Sequence, residues 1–252
     1  MLGSWGIPPA PKVPQDLGIQ GVEKRSPDAL CTKTQCHHRS PKMSKQPTIE
    51  KQIKLAIATL KKGGIVAFPT DTVYGLGADP LNKHAIDQIY RIKKRPPNLP
   101  LPLLLAEKSD LLKVASVVPE IAWQLAERFL PGGLTLVLRK SPWVPSTVTA
   151  SGDTIAVRIP NHSIPISLIR GLGSPIIGTS ANLSGRPSPV TAEEVREQLG
   201  EGVDLIINGG RCPGGTESTV LDVSGKIPTL VREGAIPKEK IERICGPLLS
   251  KT

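Results

Sequence analysis

Between residues 48 and 245 the apolar positions come in short runs, and the spacing inside each run indicates the element it forms. Ile49, Ile53, Ile57 and Leu60 recur at helical spacing, with Thr48 placed to cap that helix and Gly63-Gly64 to end it. Residues 65–68 (Ile-Val-Ala-Phe) are few, bulky and partly β-branched, as in a buried strand. Ile86, Ile89 and Tyr90 give the inner face of a second helix, capped by Asn82 and stopped by Pro96 and Pro97. Further strands are predicted over 103–106, 134–138, 155–159, 203–207, 218–223 and 229–232, with another at the apolar run Pro175-Ile176-Ile177. Helices are predicted over 119–129, opening on a proline, over 163–171, and over 237–244. Thr191-Ala192-Glu193-Glu194 reads as a capping box for a helix running to Leu199. Strands and helices intermixed in this order predict an α/β domain with a large mixed, twisted sheet flanked by helices.

Several strands empty into polar segments. The 65–68 strand leads into Pro69-Thr70-Asp71-Thr72-Val73-Tyr74-Gly75-Leu76-Gly77, and 175–177 leads into Gly178-Thr179-Ser180-Ala181-Asn182-Leu183-Ser184-Gly185. A strand fixes the backbone, hydroxyls and amides supply hydrogen bonds, and glycines let a ligand approach the main chain. The plainer alternative is a pair of polar turns. Arg91, Lys93, Lys94 and Arg95 crowd the end of the second helix. They fit either a solvated end matched to the helix dipole or a phosphate clamp. Glu217-Ser218-Thr219-Val220-Leu221-Asp222-Val223 precedes Leu230-Val231-Arg232-Glu233-Gly234-Ala235-Ile236, an alternating strand followed by one that carries a single arginine.

Together these segments resemble the threonylcarbamoyl-AMP synthase family, the YrdC-like domain, in its short, single-domain form. That family carries Pro-Thr-(Asp/Glu)-Thr-x-Tyr-Gly-Leu-Gly, Lys-x-Arg-Pro, Ser-x-Asn, Ser-Thr-Val and Arg-x-Gly-x-Ile, and all five occur here in that order. Pro131-Gly132-Gly133-Leu134-Thr135 and Ala156-Val157-Arg158-Ile159-Pro160-Asn161-His162 match as well. The resemblance covers residues 48–245, leaving 1–47 as a disordered or spurious extension and 246–252 as a short tail. It implies helices around a mixed sheet with a concave ligand face. The implied enzyme joins L-threonine, bicarbonate and ATP into threonylcarbamoyl-adenylate and pyrophosphate. A downstream tRNA threonylcarbamoyl transferase complex then consumes the adenylate.

By motif position, Lys93, Arg95, Thr154, Asn182, Val190 and Arg232 fall on the ATP side, and Thr72, Arg158, Ser180 and Ser218 on the threonine side. Cations suit a triphosphate, a guanidinium suits a carboxylate, and neutral hydroxyls suit the threonine hydroxyl and amine. No nucleophile or Ser-His-Asp set is visible, so no catalytic residue is assigned and positioning with charge neutralisation carries the chemistry. Mg²⁺ accompanies the nucleotide, bridging phosphates and keeping waters. Two positions depart from the family: Leu99 stands for an Asn and Leu104 for a His, so two polar contacts become apolar.

The net charge of +10 adds direction: residues 1–45 hold seven Lys or Arg against three Asp or Glu, and the rest of the excess lies in the domain. A basic body suits an anionic ligand; the alternative is a double-stranded RNA-binding or ribosome-associated protein without turnover. Aromatics make up only 3% of the chain, which gives RNA bases little to stack on. Pro131-Gly132-Gly133 and Pro213-Gly214-Gly215 are not followed by Gly-Lys-Ser/Thr, which disfavours a P-loop. No run approaches the ~18 apolar residues of a membrane helix, and the expectation is a cytoplasmic protein. Cys31, Cys36, Cys212 and Cys245 have no disulfide spacing and no signal peptide precedes them. Cys31, Cys36, His37 and His38 lie in a Pro-, Lys- and Ser-rich setting that favours a disordered tail over a metal site. Met43 stands just before the first helix and is a candidate start.

Overall fold

The structure, a computed structural model, describes residues 47–250. The expectations for the N-terminal extension, including Cys31, Cys36, His37, His38 and Met43, fall outside the described residues. The helices are α1 (Ile49–Lys61), α2 (Lys83–Lys93), α3 (Leu111–Val114), α4 (Glu120–Phe129), α5 (Ser163–Leu172), α6 (Ala192–Leu199) and α7 (Lys238–Cys245). The strands are β1 (Val66–Phe68), β2 (Gly75–Gly77), β3 (Leu103–Leu104), β4 (Leu134–Arg139), β5 (Thr154–Arg158), β6 (Ile176–Ile177) and β7 (Thr179–Ser180). They continue with β8 (Leu205–Ile206), β9 (Thr219–Asp222), β10 (Thr229–Arg232) and β11 (Leu249–Ser250).

These strands form two mixed sheets where the sequence predicts one. The large sheet runs β11-β10-β9-β4-β5-β3-β6 and the small one β7-β2-β1-β8. The chain crosses from one to the other at Gly178, the single residue between β6 and β7. Ile177 N donates to Ala78 O at 2.9 Å, so the end of the large sheet is tied to the end of β2. A Cβ on Gly178 would lie 2.2 Å from Leu104 Cγ, so only glycine fits this crossing.

Period-two alternation explains the large sheet's two faces. Leu134, Leu136, Leu138, Ile155, Val157 and Leu221 turn inward and are fully or almost fully buried among residues of the surrounding helices. The other face presents Thr135 and Val137 from β4, Ala156 and Arg158 from β5, and Ser218 and Val220 beside or on β9. Register sets them side by side: Val137 pairs with Ala156 and Thr135 with Val220.

Several local expectations are corrected. Thr48 occupies the N-cap of α1, but its side chain makes no capping bond; its carbonyl accepts from Gln52 N at 3.0 Å. On α1, Leu60 is buried and Ile53 and Ile57 pack partly buried against the core as the spacing predicts, but Ile49 is exposed and the most buried positions also include Gln52 and Ala56. Gln52 turns inward because its amide donates to Pro47 O at 2.9 Å and accepts from Asn208 N at 2.9 Å. In the capping box, Thr191 Oγ1 accepts from Glu194 N as expected, while Glu194 Oε2 accepts from Val190 N, one residue before the cap. β2, β7, α3 and β11 carry no strong periodicity and were absent from the sequence prediction. β11 falls in the predicted tail, where it pairs in parallel with β10.

Candidate active site

A cleft of about 330 Å³ opens over the outward face of the large sheet, where the small sheet joins it. Its floor is Thr135, Val137, Ala156 and Val220. One wall is Thr70, Thr72, Val73, Tyr74 and Gly75 from the turn into β2, and another is Gly178, Thr179 and Ser180 at the sheet crossing. Arg95, Arg158 and Arg232 enter it from three separate elements.

Arg158 is the most constrained of the three. It is 7% exposed, and its Nε donates to Gly132 O at 2.9 Å, Nη1 to Thr72 Oγ1 at 2.7 Å and Nη2 to Asp71 Oδ1 at 2.7 Å. Burial pulls its proton affinity down and Asp71 opposes that. Asp71 also accepts from Asn161 N at 3.1 Å, so one carboxylate joins the β2 turn to the end of β5. Five N–H donors and three partners leave this guanidinium with capacity for a ligand anion. Arg95 donates to the carbonyls of Leu99 and Pro100 at 3.3 and 2.9 Å. Arg232 pairs with Glu217 Oε2 and donates to Ser218 O at 2.8 Å.

The hydroxyls are held in pairs. Thr70 and Thr72 share a bond of 3.0 Å, and Thr135 and Ser218 one of 2.8 Å. Ser180 donates to Asn182 Oδ1 at 2.6 Å, which leaves its oxygen free to accept.

Lys93 lies beneath the cleft wall, not in the cleft. It is 2% exposed, and its ammonium donates to Ser180 O, to Asn182 O at 2.8 Å and to Asn182 Oδ1 at 3.0 Å. All three protons are used to hold the segment that carries Ser180. Burial and the neighbouring Arg95 push Lys93 down to about 8, with Glu217 opposing.

The structure thus brings Thr72, Arg95, Arg158, Ser180, Ser218 and Arg232 to one cleft. Asn182 lies behind Ser180, its Nδ2 donating to Arg186 O at 2.5 Å. Thr154 at the far end of β5 and Val190 beside α6 do not line the cleft. Leu104 does line it, against Gly178, while the Leu99 side chain is exposed and its carbonyl accepts from Tyr90 and Arg95.

Thr70, Tyr74, Thr135 and Glu217 also line the cleft, although the sequence assigns them no role. Tyr74 donates to Gly210 O at 2.8 Å, and burial pushes its hydroxyl up to about 12. Thr135 ends the Pro131-Gly132-Gly133-Leu134-Thr135 match and stands two residues from Val137 on an alternating strand, signals that could have placed it on the ligand face.

Arginines and paired hydroxyls on one open sheet face of a two-sheet α/β domain suit a small anionic ligand. The chain belongs to the Sua5/YciO/YrdC family: the family model, described as "Telomere recombination", matches residues 58–234. It is 46% identical over 202 residues to the threonylcarbamoyl-AMP synthase of Bacillus subtilis, covering 80% of this chain and 58% of that protein. It is 44% identical over 199 residues to that of Pyrococcus abyssi, covering 79% and 58%. The crystal structure of P. abyssi Sua5 complexed with L-threonine superposes with a TM-score of 0.78 at 44% identity, covering 80% of this chain and 59% of that one. The chain therefore spans a little under three fifths of the length of these relatives.

Proposed function

We propose that this chain is an L-threonylcarbamoyladenylate synthase, a nucleotidyltransferase that joins L-threonine, bicarbonate and ATP. The observation that carries the reading is the convergence of Arg95, Arg158 and Arg232 with the Thr72, Ser180 and Ser218 hydroxyls in one cleft. The relatives named for this activity, and the one solved with threonine, support it.

The threonine carboxylate meets Arg158, whose fixed orientation suits a planar anion. Ser180 accepts from the substrate's hydroxyl or amine, and Thr72 and Ser218 complete that side. The threonine amine attacks carbon dioxide derived from bicarbonate and loses a proton, giving a carbamate. A carbamate oxygen then attacks the α-phosphorus of ATP, and the bond to the bridging oxygen breaks with release of pyrophosphate. Arg95 and Arg232 meet the phosphates and stabilise charge as it moves onto the leaving pyrophosphate.

Among the described residues, no group of three His, Cys, Asp or Glu is placed to hold a metal ion. Glu217, the one acid lining the cleft among the described residues, is paired with Arg232. On this reading Mg²⁺ enters as part of the substrate, MgATP. The adenylate is a reactive mixed anhydride and needs an acceptor, for which a tRNA threonylcarbamoyl transferase complex is the proposed partner. Among the described residues, no helix is long and apolar enough to cross a membrane, which fits the proposed cytoplasmic setting.

Pyrophosphate release tests the reading. It should require ATP, L-threonine and bicarbonate together. RNA binding that ignores threonine and ATP would support the double-stranded RNA-binding or ribosome-associated alternative instead.

A further inference from the structure

The three arginines of the cleft are compensated unequally. Arg158 is neutralised by Asp71, and both side chains are largely buried, at 9% and 16% exposure. Arg95 donates to carbonyls only. Arg232 is neutralised by Glu217, and this pair is open, with the side chains 46% and 31% exposed. The proposed phosphate anion therefore meets one arginine with a carboxylate already on it.

Glu217 is built into that position. Its carbonyl accepts from Ala235 N at 2.8 Å, tying the segment before β9 to the turn after β10. A Cβ on Gly234 would lie 2.3 Å from that carbonyl, so the two segments approach as closely as glycine allows. The carboxylate spans two partners, Oε1 accepting from Ser188 Oγ and Oε2 from Arg232 Nη1. Its charge also acts on Arg95 and Lys93, raising the proton affinity of both. Among the described residues, it is the one carboxylate lining a cleft with three arginines.

We propose that Glu217 is the cleft's internal counter-anion: its carboxylate occupies Arg232 until a pyrophosphate-class anion displaces it, and it thereby limits how tightly that anion is held. The inference rests on the proposed reaction, in which pyrophosphate is the leaving group. Without Glu217, Arg95 and Arg232 would both stand uncompensated in the cleft, and together they would hold that product and delay turnover. A tethered carboxylate that returns to Arg232 favours release. Glu217 is a positioning residue, because it acts through Arg232 and the charge of the cleft.

Inorganic pyrophosphate binding to the full chain, measured by titration calorimetry, tests this without turnover. E217Q keeps the shape but removes the charge: its one amide oxygen can still accept from Arg232, and its amide nitrogen can donate to the Ser188 hydroxyl, which accepts as well as donates. It should bind pyrophosphate about tenfold more tightly than the wild type at low salt, because a unit charge within several ångströms opposes a multiply charged ligand. The gain should shrink as salt rises. E217D, which keeps the charge, should stay close to the wild type. In turnover, E217Q should show a lower KM for ATP together with a lower kcat and stronger product inhibition by pyrophosphate. A purely structural role would leave binding unchanged or weaker.

An E217Q affinity equal to or below the wild type overturns the inference. Should E217Q fail to fold by circular dichroism, E217A is the second variant and must show the same tightening. If the wild type and the charge-neutral variants all fail to bind pyrophosphate, the phosphate reading of the cleft falls, and this inference with it. Wild-type binding without tightening overturns the inference alone.

Discussion

Lys93 reaches inward and Arg95 reaches along the cleft because the backbone turns between them. α2 ends at Lys93, and Lys94 adopts a left-handed conformation with φ 48° and ψ 40°. The dense basic run visible in the sequence is thus divided into an internal tether and a cleft-lining cation. Each has a distinct consequence on mutation. Arg95→Ala removes a charge-assisted donor from the proposed phosphate site, and we expect a loss of about 2–4 kcal/mol in transition-state stabilisation. Steady-state pyrophosphate release with circular dichroism as a fold control measures it, and near-wild-type turnover would remove Arg95 from the site. Lys93, depressed to about 8, binds its proton less tightly in the folded chain than in the unfolded one, where the ordinary value is 10.5. Between those values the unfolded chain carries more protons, so stability rises with pH through that window from this group. Below about pH 8 both states are protonated and the contribution is flat. Urea unfolding at pH 7.5 and 9 should show that rise in the wild type and not in Lys93→Met. A rise that persists in the variant would assign it to another group.

At the scale of elements, the hairpin of β9 and β10 positions Arg232, and Thr219 closes it. Thr219 is fully buried, and its hydroxyl accepts from Gly234 N and Ile236 N at 2.9 Å each while donating to Ile236 O at 2.6 Å. Thr219→Val keeps the volume but leaves buried backbone groups without partners. We expect a loss of about 2–4 kcal/mol of stability, read as a lower urea midpoint with an unchanged slope. A midpoint unchanged from the wild type would show that the hydroxyl is dispensable. Elements with strong periodicity were legible in the sequence: the long helices, β4, β5, β9 and β10 all appear within a residue or two of expectation. β2 and β7 were not, because Gly75-Leu76-Gly77 and Thr179-Ser180 have no apolar alternation and are strands only through pairing with each other and with β1. The inward turn of Gln52 was equally hidden, since its partner Asn208 lies 156 residues away.

At the scale of the whole molecule, the cleft exists because two mixed sheets meet at Gly178 and leave one sheet face open. The ordered motifs named the family and the residue types of the site, and six of the proposed residues line one cleft. Motif order could not show that Lys93 and Asn182 bond to each other behind the wall, nor that Glu217 stands on Arg232. Those relations arise between segments far apart in sequence. The proposed synthesis of threonylcarbamoyl-adenylate in this cleft is tested most directly by mass spectrometry of the product. The full chain is incubated with MgATP, L-threonine and ¹³C-bicarbonate and quenched rapidly. We expect a species with the mass of threonylcarbamoyl-AMP that carries the label, appears with stoichiometric pyrophosphate, and vanishes when any one substrate is withheld. AMP formation without a labelled adenylate, or no ATP consumption by a folded chain that binds ATP and threonine, would contradict it.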